Sequence, residues 1–137
     1  MINLFVSMDD EIIINFAVAS DKEGKIYADI NKKDLEEMLK DVDCKVEEYT
    51  VIFKRPSFGD AVDMVGEIYQ TNSQGGININ PLADKYQKLV KLVKSWTLKG
   101  RDGNILSPTE ENIRALNPIV ADIITVQLDI ETSGILG

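Results

Sequence analysis

The first third of the chain is dominated by short apolar runs of the length and composition that β-strands have. Isoleucine, valine, phenylalanine and tyrosine are concentrated in these runs, and turn-forming residues separate them. Gly24 lies between two of the runs, where its permissive backbone favours a hairpin turn. A helical pattern with Leu35 and Leu39 on one face interrupts the strands. The pattern therefore predicts strands over residues 2–6, 11–18, 26–30 and 47–54, and a short helix over residues 31–40.

From Ser57 onward the apolar positions recur at spacings of three and four residues, which is the period of an amphipathic helix. Ser57 can cap a first helix, and a polar, glycine-containing loop over residues 72–76 follows it. Asn80 at the N-cap and Pro81 at the first helical position start a longer helix that extends to Trp96. Opposite the apolar arc of that helix are four lysines, which predict a solvated face: Lys85, Lys88, Lys91 and Lys94.

A glycine-containing connector over residues 97–106 leads to a further helix start. Ser107 and Glu110 have the spacing of a capping box, in which each side chain accepts a hydrogen bond from the other residue's amide. This signal predicts a short helix that begins at Ser107 and ends near Leu116.

Asn117 and Pro118 repeat the cap-plus-proline signal of a helix start. The segment that follows, residues 119–131, is ambiguous because its apolar residues also alternate with polar ones, as they do in a strand. Its start signal favours a helix. The tail over residues 132–137 is expected to fray.

Together these elements predict an α+β fold. Residues 1–56 are predicted to form a β-rich part, a hairpin or small sheet with one short helix, and residues 57–137 a helical part of about four helices. A length of 137 residues suits a single domain that buries one sizeable core. We therefore expect the two parts to form one compact domain.

The composition disfavours two classes of partner, nucleic acids and membranes. The formal net charge is −8, from 23 acidic and 15 basic residues, which disfavours nucleic acid because its phosphates require a dense basic surface. No apolar run approaches the roughly 20 residues that span a bilayer, so no membrane partner is expected. A single cysteine, together with an N-terminus that lacks the pattern of a signal peptide, favours the cytoplasm of the producing cell.

The residue types also disfavour catalysis. The chain has no histidine, which removes most catalytic triads, many zinc sites and the commonest general base. Cys44 lies between Asp43 and Lys45 without an obvious activating base, so we expect an inert thiol. Neighbouring acidic residues point to different sides of their elements, and the glycine-containing turns have neither P-loop nor EF-hand spacing. The sequence therefore predicts a protein that binds other proteins, without a catalytic residue, a cofactor or a metal.

The segment from Tyr86 through Ile124 carries a recurring pattern of structural positions. A helix leads to a tryptophan, here Trp96, and a connector with a glycine follows, here Gly103. A Pro-Thr-Glu helix start comes next, here residues 108–110, and a Leu-x-Pro step, here residues 116–118, leads into the last helix. This pattern resembles the C-terminal half of tail assembly chaperones from long-tailed bacteriophages. In outline, residues 53–57 also resemble the strand and proline that precede the helical part in that family.

The resemblance covers roughly residues 50–128 and implies a role in virion morphogenesis. Proteins of that family bind the tape-measure protein or tail-tube components in the host cytoplasm and need no cofactor, and a homo-oligomer is compatible with the class. The alternative is a structural subunit of the phage tail, baseplate or neck, which would be found in the virion. The helical spacing of Tyr86 and Trp96 favours core packing. If the binding surface is helical, the partner-binding residues that we predict are Phe58, Tyr69, Tyr86, Trp96 and Leu98.

Overall fold

A computed structural model describes residues 2–71, 77–79 and 81–132, with side chains described for residues 2–64 and 82–132. Strands come first along the chain, and helices become frequent after residue 57. In chain order the elements are β1 (Glu11–Asp21), β2 (Ile26–Asp29), α1 (Lys32–Met38), β3 (Cys44–Lys54), α2 (Phe58–Ile68), β4 (Tyr69–Thr71), β5 (Ile77–Ile79), α3 (Pro81–Leu92), β6 (Val93–Trp96), α4 (Glu110–Arg114) and α5 (Pro118–Glu131).

The main sheet is antiparallel and has the strand order β2-β1-β3-β6. Its centre is the long pair of β1 with β3, in register from Glu11 opposite Lys54 to Asp21 opposite Cys44. β1 returns into β2 through a turn in which Gly24 has a φ of 84°, a left-handed conformation that glycine adopts without strain. The predicted hairpin turn therefore forms where glycine permits it.

The two faces of the sheet are covered differently because side chains alternate along each strand. On one face, large side chains of β1 and β3 join side chains of the later helices in the principal core, which includes Ile14, Phe16, Val51, Phe53, Leu89, Leu92, Ile124 and Leu128. On the opposite face, the small residues Ala17 and Ala19 allow α1 to pack closely through Leu35 and Leu39. The alternation thus sends one side of β1 toward the helical part and the other toward α1.

The predicted α+β fold, β-rich first and helical afterwards, is confirmed. Among the described residues, four helices (α2 to α5) follow residue 57, and residues 118–131 are helical rather than extended. Asn117 caps α5 as predicted, since its side chain accepts from the Ile119 amide at 2.9 Å. Ser57 likewise accepts from the Asp60 amide at 3.2 Å at the start of α2. The principal core and β6 join residues from both predicted parts of the chain.

Two of the predicted secondary-structure assignments are wrong. Residues 2–6 form no strand, because the chain turns at residues 7–10, where the Asp10 amide donates to the Ser7 carbonyl at 3.1 Å, and β1 begins after the turn. The helix predicted to extend to Trp96 ends at Leu92, and the next four residues form β6. They do so because the edge of β3 offers backbone partners, with Val51 opposite Trp96.

The helix start predicted at Ser107 is also wrong, because the N-cap lies two residues later. Thr109 is the N-cap of α4, and its hydroxyl accepts from the Asn112 amide at 3.2 Å. Ser107 precedes Pro108, which disfavours helical backbone at that position, and its carbonyl instead accepts from the Asn112 side chain at 2.8 Å. The predicted loop over residues 72–76, the predicted cap Asn80 and residues 133–137 of the predicted tail lie outside the described residues.

The lysine face predicted for α3 is interrupted by a buried cation. Lys88 is 1% exposed, and its ammonium donates to Asp84 at 2.9 Å and to Asp129 of α5 at 2.7 Å. Burial alone would lower the pKa of Lys88, but the hydrogen bonds to Asp129 and Asp84 outweigh it, so the pKa is raised above its ordinary value. Lys88 is therefore a charged link between α3 and α5 rather than a solvated residue.

We expect Lys88→Met to lower the free energy of unfolding by about 3 kcal/mol, because it leaves two carboxylates facing each other at a partly buried site. The matched control is Lys85→Met on the same helix, whose ion pair with Asp122 is much more exposed and should contribute less than about 1 kcal/mol. Urea unfolding at neutral pH measures both changes. Equal losses in the two variants would contradict this role of Lys88.

Candidate protein-binding groove

Residues 97–106, the predicted connector, form a tight hairpin after β6. The Gly100 amide donates to the Asn104 carbonyl at 2.9 Å, which holds the two sides of the hairpin together. Gly103 closes the turn with a φ of 82°. The carboxylate of Asp102 accepts from the Asn104 amide at 3.0 Å, and this hydrogen bond lowers the pKa of Asp102. Local turn chemistry therefore fixes the shape of this hairpin.

Trp96 attaches the hairpin to the core. Its indole is buried, and the indole N–H donates to the Leu106 carbonyl. The Leu106 amide donates to the Leu98 carbonyl at 2.9 Å. The Leu106 side chain lies directly over Gly100, where an added Cβ would come within 3.2 Å of its Cδ1 atom. Leu106 is thus positioned through its amide, its carbonyl and its side chain.

An open groove of about 510 Å³ lies between this hairpin and the junction of α4 with α5. Leu106 is 40% exposed, and Leu116 and Val120 on the other side are half-buried, so apolar surface can be reached from solvent. Lys99 and Arg101 add positive charge to the hairpin side. We call this the hairpin groove; its apolar lining residues are Val18, Tyr49, Trp96, Leu98, Leu106, Ala115, Leu116 and Val120.

Tyr49 places a neutral hydroxyl at the wall of the hairpin groove. The centres of the Tyr49 and Phe16 rings are 6.0 Å apart, and the Tyr49 hydroxyl donates to the Glu47 carboxylate. Burial and this hydrogen bond raise the pKa of Tyr49 to about 12. The same hydrogen bond lowers the pKa of Glu47. At neutral pH the pair therefore carries one negative charge, on Glu47.

Tyr86 lines a neighbouring groove of about 480 Å³ between α3, α4 and α5, and Leu116 belongs to both grooves. The Tyr86 hydroxyl donates to Glu110 and accepts from Arg114 Nε at 3.3 Å. The Arg114 guanidinium also lies 5.2 Å from the centre of the Tyr86 ring. Glu110, predicted to close a capping box, instead helps to orient Tyr86.

The predicted partner-binding residues are only partly brought together. Trp96 and Leu98 are buried core residues that line the hairpin groove, and Tyr86 lies in the neighbouring groove. Phe58 is 86% exposed at the start of α2 and lines neither groove. Tyr69 belongs to β4, and its side chain lies outside the described part of the chain.

Sequence reasoning missed the residues that make the groove open to solvent. Leu106, Leu116 and Val120 supply its accessible apolar surface, and Gly100 provides the space for Leu106. The available signal was the pair of hydrophobic residues, Ile105 and Leu106, that follows a glycine turn, since alternating side chains of a hairpin arm point to opposite sides. Consistent with this alternation, Ile105 does not line the groove and is 59% exposed.

An exposed apolar segment at the N-terminus was also missed, because residues 2–6 were predicted to be a strand. Ile2, Leu4, Phe5 and Met8 are between 82% and 89% exposed, and Val6 is 42% exposed. We call residues 2–8 the apolar arm. So many large apolar side chains in one short segment exceed the scattered exposure that is normal on protein surfaces.

Other kinds of site have less support. In residues 2–71, 77–79 and 81–132, no group of three or more cysteine, aspartate and glutamate side chains is arranged to hold a metal ion. None of the helices in these ranges is both long and apolar enough to cross a bilayer. Cys44 is a free, half-buried thiol. Comparison with models of known protein families, with curated proteins and with solved structures gives no match to this chain.

We expect Trp96→Phe to loosen the hairpin, because the Leu106 carbonyl loses its indole donor. The free energy of unfolding should fall by about 1–3 kcal/mol. Amide hydrogen exchange should accelerate more at Leu106 and Gly100 than at residues of β1. Uniform acceleration throughout the chain would show instead that Trp96 contributes to global stability without holding the hairpin.

Tyr49→Phe tests the alkaline pH dependence. The folded pKa of about 12 exceeds the ordinary value of about 10, so the neutral tyrosine contributes stability that is fully present below pH about 10 and is lost as pH rises toward 12. The stability difference between wild type and Tyr49→Phe, from urea unfolding, should be constant below that range and shrink within it. An absorbance titration should lose its late-ionising tyrosine in the variant; a variant that instead loses amplitude near the ordinary pKa of about 10 and keeps a late-ionising tyrosine would contradict the assignment.

Proposed function

We propose that this chain is a phage tail assembly chaperone that binds apolar segments of tail components, the tape-measure protein or tail-tube subunits, during virion morphogenesis. It acts by binding rather than by catalysis, and it works in the host cytoplasm. The hairpin groove is the surface that receives the client segment.

One observation carries this proposal: the segment whose pattern resembles that family is the segment that builds the hairpin groove. Trp96 holds the hairpin to the core, and Gly103 closes its turn. Pro108 leads into the cap of α4 at Thr109, and Asn117 and Pro118 start α5. Of these residues, Trp96 and Asn117 line the groove directly, and the others set the turn and the helix starts next to it. One feature departs from the family pattern, since Trp96 ends a strand here rather than a helix.

The size and chemistry of the groove suit reversible binding of an apolar segment. A groove of this volume accommodates a few side chains, each of which contributes about 1.5–3 kcal/mol when fully buried. Association costs at least about 4 kcal/mol in lost freedom of motion, so one such contact gives a weak complex. A chaperone that must release its client before the tube assembles requires contacts of that strength.

Leu106→Asp tests whether the groove binds the client. It places a charge on the accessible apolar surface, so we expect the affinity for purified tape-measure protein of the same phage to fall at least about tenfold. Ile105→Asp is the matched control, because it adds the same charge to the same hairpin arm at an exposed position that does not line the groove. Titration calorimetry measures both affinities, and circular dichroism checks that both variants fold. Equal binding by the two variants would exclude the groove as the client site.

The composition of purified virions distinguishes the chaperone from a structural subunit. The proposal predicts that the protein co-purifies with the tape-measure protein from assembling lysates and is absent from finished particles. Stoichiometric amounts in mature virions would support a subunit of the tail, baseplate or neck instead.

A further inference from the structure

The apolar arm is held at its base and projects from the body of the protein. The Arg55 amide donates to the Asp10 carbonyl at 2.9 Å, and the Asp10 carboxylate accepts from the Ser7 amide at 2.8 Å. Lys94 donates to Glu11 at 2.8 Å next to this turn. The base of the arm is therefore fixed at one end of the sheet, while the apolar side chains beyond it remain exposed. A segment of this kind is typical of surfaces that a partner covers.

The sequence of the arm matches the chemistry of the hairpin groove. Five large apolar residues are followed at once by Asp9 and Asp10, and then by Glu11, which is already paired with Lys94. The groove has an apolar lining, with Lys99 and Arg101 on its hairpin side. Among the residues that the structure describes, neither cation forms an ion pair, although Lys99 is close enough to Glu47 for its charge to help lower the pKa of that carboxylate. An apolar segment next to two acidic residues thus fits an apolar groove that carries two exposed basic residues on one side.

The arm cannot place its central side chains in the groove of its own chain. The groove lies at the level of Val18 and Tyr49, five to seven strand residues from Glu11, which is a distance of roughly 16–23 Å along the sheet. The turn at residues 7–10 folds the chain back on itself, so Phe5 lies only two residues beyond the turn and can extend only about 7 Å from it. The groove of another molecule has no such restriction.

We propose that the apolar arm of one copy docks in the hairpin groove of a second copy, with its acidic base next to Lys99 and Arg101. Leu4 and Phe5 are the anchoring side chains, and Leu106 is the groove residue that they cover. This contact joins two copies of the chain and does not depend on the identity of the client. The arm would also cover the groove before any client binds.

Complementary variants test the contact in the full-length chain. The variant Leu4→Asp/Phe5→Asp has a defective arm and an intact groove, whereas Leu106→Asp has an intact arm and a defective groove. Sedimentation velocity over a wide concentration range should show that wild type associates and that each variant alone is monomeric. An equimolar mixture of the two variants should form a heterodimer, because one intact arm and one intact groove remain.

Matched controls separate docking from general effects of added charge. Asn3→Asp adds one negative charge to the arm at a polar position, against two in Leu4→Asp/Phe5→Asp, and keeps the oxygen that accepts from the Phe5 amide. Ile105→Asp adds to the hairpin the same single charge as Leu106→Asp, at an exposed position that does not line the groove. Both should associate as wild type does. If Leu106→Asp fails to fold, Lys99→Glu/Arg101→Glu replaces it, since both side chains are exposed, and it should weaken association at least about tenfold.

Three results would overturn the proposal. The first is a wild-type protein that stays monomeric at every concentration. This result would overturn the proposal whether limited proteolysis finds the arm accessible or finds it protected by its own chain. The second is association that persists in the arm variant or in the groove variant. The third is a mixture of the two variants that stays monomeric while wild type associates. Failure here would leave the client proposal intact, because client binding is measured separately with Leu106→Asp and Ile105→Asp.

Discussion

The buried indole of Trp96 joins parts of the molecule that would otherwise be independent of one another. Trp96 ends β6, lies opposite Val51 in the sheet and packs in the principal core. Its N–H also donates to the Leu106 carbonyl, so the hairpin cannot leave the core without exposing or orphaning a buried donor, which costs about 1–3 kcal/mol. The form of the hairpin groove therefore depends on the place of one side chain in the sheet.

A second constraint acts between α3 and α5, the second of which borders the groove. Hydrophobic contacts between α3 and α5 are non-directional, whereas the hydrogen bonds of Lys88 to Asp84 and Asp129 have a defined geometry. The triad therefore specifies how the two helices are aligned. α5 carries Val120 and follows Leu116, so the triad helps to position one of the helices that border the groove.

The proposed client segment and the apolar arm would both bind the hairpin groove through apolar side chains. The chain is acidic overall, which opposes unspecific association, and both the arm and the groove present apolar surface to solvent. In this scheme an arm and a client segment compete for the same groove. Such competition would keep an apolar groove covered while no client is present, and it would release the arm when tail assembly begins.

The sequence by itself determined several of the features that rest on local hydrogen bonds, although it placed the cap of α4 at Ser107 instead of Thr109. The turn at Gly24 and the caps at Ser57 and Asn117 use partners only a few residues away, so residue type and spacing were sufficient. Only the tertiary structure decided that residues 93–96 form a strand, because the decisive partner is the edge of β3. It alone buried Lys88, since Asp129 lies 41 residues further along the chain. For the same reason, the sequence pointed to Trp96 and Leu98 but did not predict the groove that they line. Periodicity along a chain does not encode contacts between distant residues.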